Sequence, residues 1–210
     1  MKEQKNVMIM GDSYSTYGGY IPEGYSTYYS DERAAAPIVK GVEKTWWGLL
    51  ANEKNLNVVL NDSFSGSMIS NTPREPFTER PSFVSRIDKY ISENFFAENN
   101  VDTMFIFGGT NDSWFDASIG EPKYSDWTDD DLKCVLPAFC YLLNRAKTVV
   151  DKIVVIINDG LKQEIVEGFV QACEKNGVTY LCLSDIDKEN GHPTELGMKQ
   201  ISEQLTSIIA

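Results

Sequence analysis

The sequence predicts an α/β fold in which helices cover both faces of one parallel β-sheet. Short apolar segments alternate along the 210-residue chain with longer segments that have helical spacing. This alternation is typical of parallel βαβ units, whose right-handed crossovers place helices on both sides of a sheet. The length and the 42% share of hydrophobic residues suit one globular domain, to which we assign residues 1–210.

The predicted strands are five continuous apolar runs rich in Val and Ile. Runs of this length are typical of strands that are buried on both faces of a sheet. They comprise residues 6–10, 57–61, 103–107, 152–158 and 178–183.

Helical spacing occupies the segments between these runs and the segment after the last one. The predicted helices comprise residues 42–55, 83–94, 129–149, 161–176 and 195–209. Gly177 after Asn176 is a left-handed cap that ends the fourth helix, and Thr194 is the expected N-cap of the last.

The charge balance excludes several classes of partner. With 19 basic and 31 acidic residues the net charge is −12, which repels phosphate backbones and anionic lipids, so we expect neither nucleic acid nor a membrane as partner. No segment approaches the ~20 apolar residues of a membrane span, and we expect a cytoplasmic protein. One histidine and four cysteines without a Cys-x-x-Cys pair predict no metal site. The sequence leaves the oligomeric state open.

Two predicted loops are longer than a compact α/β domain needs. They comprise residues 14–44 and 113–128, and both are rich in Tyr, Trp, Gly and Pro. Both leave the carboxyl ends of strands, where open α/β sheets bind ligands, so we expect them to form the walls of a site. The candidate substrate-binding residues in them are Tyr14, Tyr20 and Trp114.

A serine stands directly beyond the first strand, in the segment Gly11-Asp12-Ser13. The end of a buried strand projects such a hydroxyl into the crevice above the sheet, and the glycine permits a tight turn. Ser13 is therefore a candidate nucleophile. The alternative is that Asp12 and Ser13 only cap the next turn.

Two further glycine-containing loops follow neighbouring strands. Asn111 comes after Gly108 and Gly109 beyond the third strand, and Gly66 lies beyond the second. An asparagine amide and a glycine N–H can both donate to an oxyanion, and losing one such donor costs about 3 kcal/mol of transition-state stabilisation. We expect the three loops to converge at one edge of the sheet.

His192 is the only histidine, and therefore the only candidate imidazole base for Ser13. A serine hydroxyl is a weak nucleophile at neutral pH and needs a neighbour that accepts its proton during attack. His192 falls in the predicted loop between the fifth strand and the last helix. The alternative is an exposed histidine in a loop whose structural work is done by Pro193 and Thr194.

Four short segments, in order and over nearly the whole chain, resemble the sequence blocks of the SGNH (GDSL-type) hydrolases. They are Gly11-Asp12-Ser13, Gly66, Gly109-Thr110-Asn111-Asp112 and His192-Pro193. The resemblance implies a flavodoxin-like three-layer α/β/α sandwich with a five-stranded parallel sheet. It also implies hydrolysis of esters or thioesters without a cofactor.

The resemblance further implies a role for each matched residue. Ser13 is the expected nucleophile and His192 the expected base. The Ser13 N–H, the Gly66 N–H and the Asn111 side-chain amide are the expected oxyanion hole. Asp12 and Asp112 we interpret instead as braces for their loops, because carboxylates beside tight turns commonly accept local N–H groups.

Three groups are candidates for orienting the histidine. The family usually has an aspartate three residues before the histidine, where this chain has Glu189. Asp187 competes with Glu189 for that role, although the spacing favours Glu189. A third option is a backbone carbonyl that holds the ring, which leaves a Ser–His dyad.

Several substrates and one different class of function fit these features. Removal of acetyl groups from carbohydrates is the first expectation, and hydrolysis of short-chain lipid esters or thioesters the second. A rival is a flavodoxin-like module that binds a flavin or nucleotide phosphate, which the net charge of −12 disfavours. A third possibility is an inactive relative that binds carbohydrate.

Overall fold

The computed structural model describes residues 4–73 and 81–209 and contains a five-stranded parallel sheet. Its strands are β1 (Lys5–Gly11), β2 (Leu56–Ser63), β3 (Thr103–Phe107), β4 (Lys152–Ile157) and β5 (Thr179–Cys182). The spatial order is β2-β1-β3-β4-β5, with every neighbouring pair parallel. This is the flavodoxin-like order, so the predicted fold class is confirmed. The predicted strand limits differ from these by at most two residues at either end.

Helices cover both faces of the sheet. They are α1 (Trp46–Lys54), α2 (Phe83–Ser92), α3 (Phe95–Asn99), α4 (Thr110–Trp114), α5 (Val135–Lys147), α6 (Gln163–Asn176) and α7 (Glu195–Thr206). Side chains of α1 and α7 pack on one face, and those of α2, α5 and α6 on the other. In the described ranges, no helix is both long enough and apolar enough to span a bilayer.

Strand β1 shows how the sheet supplies both cores. Met8 and Met10 belong to the cluster under α2, α5 and α6, whereas Val7 and Ile9 belong to the cluster under α1 and α7. Successive side chains of a strand point to opposite faces, so one continuous apolar run fills two cores. For this reason β1 appears in the sequence as a continuous apolar run, without the alternation of apolar and polar residues found in a strand with one exposed face.

The structure departs from the predicted elements at three kinds of position. Two predicted helices begin late, because 3₁₀ turns at Val42–Lys44 and Asp131–Lys133 precede α1 and α5. The short helices α3 and α4 were not predicted. A two-stranded antiparallel hairpin, β6 (Lys188–Glu189) with β7 (His192–Pro193), replaces the predicted irregular loop before α7. The N-cap was predicted correctly, since the Thr194 hydroxyl accepts a hydrogen bond from the Gly197 N–H at 3.2 Å.

Gly11 is required at the end of β1 for a different reason from the predicted one. A Cβ atom added to it would lie 2.5 Å from the Ser63 hydroxyl oxygen and 2.6 Å from the Ser15 Cβ. Both distances are shorter than a carbon contact allows. The glycine therefore permits close approach of β2 and of the turn that carries Ser13, rather than an unusual backbone angle.

A buried ion pair joins α2 to the end of the sheet where these loops meet. Arg86, on α2, lies 2.9 Å from the Asp62 carboxylate, and their side chains are 1% and 0% exposed. The same guanidinium donates to the Gly11 carbonyl at 3.1 Å and to the Ser67 hydroxyl at 2.9 Å. Tyr90 donates to the second Asp62 carboxylate oxygen at 3.0 Å. Arg86 therefore fixes the loop after β2 relative to the end of β1.

We expect Arg86→Met to lower the free energy of unfolding by about 3–5 kcal/mol, because Asp62 would remain as an uncompensated buried charge. Urea unfolding followed by circular dichroism measures the loss. Arg145→Met is the matched control, because it breaks an ion pair with Asp88 whose side chains are 33% and 38% exposed. Its cost should be about 1 kcal/mol or less. Equal losses for the two variants would contradict this account.

Candidate active site

The structure brings Ser13 and His192 together. Ser13 begins a 3₁₀ turn directly after β1, which Asp12 caps by accepting the Tyr14 N–H at 3.0 Å. The Ser13 Oγ lies 3.0 Å from the His192 Nε2, which is hydrogen-bond distance. The two residues are only 3% and 8% exposed. The site therefore contains a hydroxyl and a potential proton acceptor in direct contact and largely shielded from water.

A tight hairpin presents His192 to the serine. Between β6 and β7 lie Asn190 and Gly191, with φ angles of 50° and 75°. Two central residues with positive φ are typical of a type I′ turn, for which Asn-Gly is the strongest sequence signal. This signal was present in the sequence, and it would have predicted the hairpin that positions His192.

The hairpin turn also provides the hydrogen-bond partner of the second ring nitrogen. The His192 Nδ1 lies 3.2 Å from the Asn190 carbonyl oxygen. A carbonyl only accepts, so Nδ1 carries the proton, and Nε2 is free to accept a hydrogen bond from the Ser13 hydroxyl. The backbone thus selects the tautomer in which His192 can act as a base.

The expected contact between His192 and a carboxylate is absent from the described part of the chain. Glu189 is exposed and makes no hydrogen bond to the ring. The Asp187 carboxylate instead accepts the hydroxyl of Thr194, the residue that caps α7. In this structure neither acid contacts the ring, because the turn places the Asn190 carbonyl at Nδ1. The third option, a Ser–His dyad held by a carbonyl, matches the geometry.

Three aromatic rings surround His192. Tyr28 stacks face to face on the imidazole, with a centroid distance of 3.6 Å and an interplanar angle of 6°. Trp114 meets the imidazole edge to face at 5.5 Å, and Tyr14 lies tilted at 5.4 Å. Tyr28 was not among the predicted site residues. No periodic pattern in its long loop distinguished it from the other tyrosines there.

The predicted substrate-binding residues occupy different environments. Tyr14 is only 1% exposed, and its hydroxyl donates to the Gly191 carbonyl, so it supports the hairpin, and its role as a substrate contact stays a prediction. Tyr20 is 54% exposed and packs against Tyr17 at 6.1 Å. Trp114 is 44% exposed and also contacts the imidazole, so it combines an accessible ring with a place at the site.

Burial lowers the pKa of His192 from its ordinary value of 6.5 to about 4. The hydrogen bond to the Asn190 carbonyl acts in the opposite direction, while the positive charges of Arg33 and Lys188 lower the pKa further. The ring is therefore neutral, and able to accept a proton, from neutral pH down to distinctly acidic pH. The lowered pKa keeps His192 able to act as a base at more acidic pH, but it also makes the ring a weaker proton acceptor.

The loops that carry the predicted oxyanion hole leave three adjacent strands, because β1 lies between β2 and β3. One N–H of the Asn111 amide donates to the Ser67 carbonyl at 3.0 Å, which leaves its second N–H unused by the described residues. Gly66 has a φ of +84°, in the turn that also carries Ser67. No described residue accepts a hydrogen bond from the Ser13 N–H. Asn111 and Ser13 thus each have an N–H without an acceptor among the described residues.

The two aspartates that flank these motifs are buried. The Asp112 carboxylate accepts the Ile69 N–H at 2.8 Å and the Ser70 N–H at 3.2 Å, so it braces the loop after β2 as expected. Burial raises the pKa of Asp112, and it raises the pKa of Asp12 to about 7. Asp12 accepts the Tyr14 N–H within the turn of Ser13, and its role there is structural.

A polar network ties the hairpin to the end of β4. The Lys188 Nζ donates to the Asn158 side-chain oxygen at 3.0 Å and forms an ion pair with Asp159. The Asn158 amide in turn donates to the Thr110 hydroxyl at 3.2 Å, at the start of α4. The hairpin of His192 and the helix of Asn111 are thereby connected through one set of hydrogen bonds.

Comparison with known proteins agrees with this arrangement. The sequence profile of the GDSL-like lipase/acylhydrolase family matches residues 5–209. The chain belongs to this family. Members of this GDSL-like family are ester hydrolases, and so is this protein. No curated protein sequence is significantly similar to it.

Two solved structures from Bacteroides are similar to this GDSL-like protein over their full length. A candidate GDSL-like lipase from Bacteroides ovatus ATCC 8483 has 37% identity and a TM-score of 0.89, covering 99% of this chain and 98% of the other. A second, from Bacteroides uniformis ATCC 8492, has 35% identity and a TM-score of 0.90, covering 99% and 96%. An acetyl-xylooligosaccharide esterase from Geobacillus has the same fold at 14% identity and a TM-score of 0.56, covering 99% and 95%.

We expect Glu189→Gln and Asp187→Asn each to lower kcat of this GDSL-like hydrolase by less than about tenfold, because neither carboxylate touches the imidazole. Asp187→Asn keeps an oxygen that can accept the Thr194 hydroxyl, so the cap of α7 is preserved. Steady-state kinetics on p-nitrophenyl acetate measures the effect. A several-hundredfold loss of kcat in either variant would show instead that its carboxylate takes part in catalysis with Ser13 and His192.

Proposed function

We propose that this protein is a serine esterase that removes small acyl groups, first of all acetyl groups from carbohydrates, through an acyl-enzyme at Ser13. The observation that supports the mechanism most directly is the 3.0 Å hydrogen bond between the Ser13 hydroxyl and the His192 Nε2. A nucleophile in contact with a base whose other nitrogen is held by a third group is the general signature of covalent catalysis by a hydroxyl.

In the proposed reaction, the Ser13 oxygen attacks the ester carbonyl while its proton moves to the His192 Nε2. The tetrahedral intermediate collapses when that proton passes to the leaving alcohol, and the acyl group remains on Ser13. Water then attacks the acyl-enzyme as Nε2 accepts one of its protons. That proton returns to the Ser13 oxygen as the acid leaves, so both residues recover their initial state.

The reaction also requires stabilisation of the negative charge that develops on the carbonyl oxygen of the ester. We assign the stabilisation of this charge to the Ser13 and Gly66 amides and to the second N–H of Asn111. The loops that carry these three residues follow three neighbouring strands. Each donor of this kind contributes about 3 kcal/mol of transition-state stabilisation. Asn111 is held by its other N–H on the Ser67 carbonyl, so its amide is already oriented before substrate binds.

The acetyl-carbohydrate assignment rests on Trp114 and on one structural relative. Trp114 presents a ring that is 44% exposed beside the imidazole, where it can stack on the apolar face of a sugar. A relative with the same fold is an acetyl-xylooligosaccharide esterase. A short-chain lipid ester or thioester is the alternative substrate, since an exposed indole also suits an acyl chain.

Covalent labelling tests the nucleophile. We expect a fluorophosphonate probe to label the protein at Ser13, identified by mass spectrometry of the modified peptide, and we expect Ser13→Ala to abolish both labelling and hydrolysis of p-nitrophenyl acetate. Ser15→Ala is the matched control within the same turn. Its hydroxyl accepts the Trp46 indole N–H at 3.1 Å and is not in contact with His192, so labelling should persist.

Labelling at another serine, or none in the folded wild-type protein, would contradict the proposed nucleophile. Absence of labelling together with binding of an acetylated sugar would identify the inactive carbohydrate-binding relative instead. A yellow purified protein with a flavin absorbance spectrum would favour the ligand-binding alternative.

A substrate comparison tests the role of Trp114. We expect Trp114→Ala to reduce kcat/KM for an acetylated xylo-oligosaccharide by about threefold to tenfold more than kcat/KM for p-nitrophenyl acetate, since a stacked ring contributes ~0.5–1.5 kcal/mol. Comparing the two substrates cancels any effect of the substitution on His192, because such an effect lowers kcat/KM for both. In the wild type, p-nitrophenyl esters of increasing chain length should be hydrolysed progressively more slowly. A rise of kcat/KM with chain length would favour the lipid ester instead.

A further inference from the structure

A column of three planar groups ends at the imidazole of His192. The guanidinium carbon of Arg33 lies 3.8 Å from the centroid of the Tyr28 ring. The Tyr28 ring lies 3.6 Å from the imidazole, with 6° between the two planes. The close and parallel contact between Tyr28 and the imidazole holds the orientation of the ring about its side-chain bonds, which a single hydrogen bond does only in part.

The two members of this column other than His192 are fixed by hydrogen bonds that involve backbone groups. Arg33 donates to the Tyr28 carbonyl at 3.2 Å and to the Pro37 carbonyl at 3.3 Å. The Tyr28 N–H donates to the Thr16 hydroxyl at 2.8 Å. The guanidinium and the phenol ring therefore occupy defined positions, although neither residue is fully buried.

The long loop that carries Tyr28 and Arg33 is also attached to the hairpin of His192. The Tyr29 hydroxyl donates to the Pro193 carbonyl at 2.8 Å, and the Asn190 amide donates to the Ala36 carbonyl at 3.2 Å. These bonds flank the histidine on both sides. The stacked column is therefore one part of a continuous contact between the two segments.

The charges around the imidazole are not balanced. Lys188, on β6, is already paired with the Asp159 carboxylate. Arg33 forms no ion pair with any residue in the described ranges, and Glu189, on β6 of the hairpin, is exposed to solvent. The titratable phenols in contact with the ring, Tyr14 and Tyr28, are neutral. Arg33 is thus a positive charge, stacked on Tyr28, that has no ion-pair partner among the described residues.

We infer that Tyr28 and Arg33 are positioning residues for His192, in which the phenol face holds the imidazole plane toward Ser13 and the guanidinium opposes protonation of the ring. This inference builds on the proposed function, since it assigns a means of control to the same base. A carboxylate in a Ser–His–Asp triad orients the ring and raises its proton affinity. Here a stacked ring orients the imidazole, and a cation lowers its proton affinity.

The expected consequence is a base that stays neutral in acid and that, once protonated by Ser13, readily passes its proton to the leaving alcohol. The positive field of Arg33 disfavours the imidazolium, so removing that charge should raise the pKa of His192. Burial alone would leave the pKa of the ring insensitive to Arg33. The two explanations can be separated by substitution.

The test is an NMR titration of the single histidine, whose Cε1–Hε1 signal belongs to His192 without further assignment. In the wild type we expect this signal to be unchanged between pH 8 and about 5.5, where a histidine with an ordinary pKa is mostly protonated. In Arg33→Gln the titration should begin at higher pH, with the midpoint raised by about half a pH unit or more. Arg145→Gln removes the same charge on α5, far from the site, and should leave the titration as in the wild type.

Kinetics of the folded variants tests the stacking. Tyr28→Leu should lower kcat by about tenfold or more, because small misplacements of a catalytic group are costly. Tyr28→Phe keeps the ring and should recover most of that loss. In Arg33→Gln, the pH below which kcat/KM falls should rise by the same amount as the NMR midpoint.

Two results would overturn the inference. One is a midpoint in Arg33→Gln that equals the wild-type value or moves no more than in Arg145→Gln. The other is a Tyr28→Phe variant as slow as Tyr28→Leu. The titration needs no substrate, so a raised midpoint in a protein that hydrolyses no ester would uphold the control of His192 while rejecting the proposed esterase function.

Discussion

The hydrogen bond between Ser13 and His192 joins residues 179 positions apart, and the rest of the site is organised around it. Ser13 directly follows β1, whereas His192 follows β5, which is separated from β1 by β3 and β4. The hairpin must therefore reach back across two strand ends. It does so through the bonds of Lys188 at the end of β4 and through the Tyr14 hydroxyl on the Gly191 carbonyl. Each of these anchors comes from an element that the sheet order has already placed.

The sequence was sufficient for the scaffold and for the motif residues, for identifiable physical reasons. A strand buried on both faces must be apolar throughout, so β3 and β4 could be recognised from composition alone. Residues at the carboxyl ends of adjacent parallel strands must converge, so Ser13 and Asn111 could be expected near each other once the strands were known. A single histidine left no competing imidazole.

The features of the site that could not be predicted depend on contacts that leave no periodic pattern in the sequence. Every residue has a backbone carbonyl, so nothing in composition singled out that of Asn190 as the partner of the imidazole. Tyr28 lies in a long irregular loop, and only the folded path of that loop brings it onto the ring. The burial of Tyr14 was likewise not predicted, because it depends on a 3₁₀ turn that directs the side chain inward. The Asn190-Gly191 pair is the exception, since its turn preference was legible in the sequence.

The contacts between the long loop and the hairpin lie outside the sheet that defines the fold. The hydrogen bonds of the Tyr29 hydroxyl and the Asn190 amide connect the long loop to the hairpin. Neither bond contributes to the pairing of any strand in the main sheet. Scaffold and reactivity are therefore separable properties of this chain. Changes to a few loop contacts could abolish catalysis in a homologue while the fold stays the same. Overall shape is therefore a poor guide to activity among proteins with this fold.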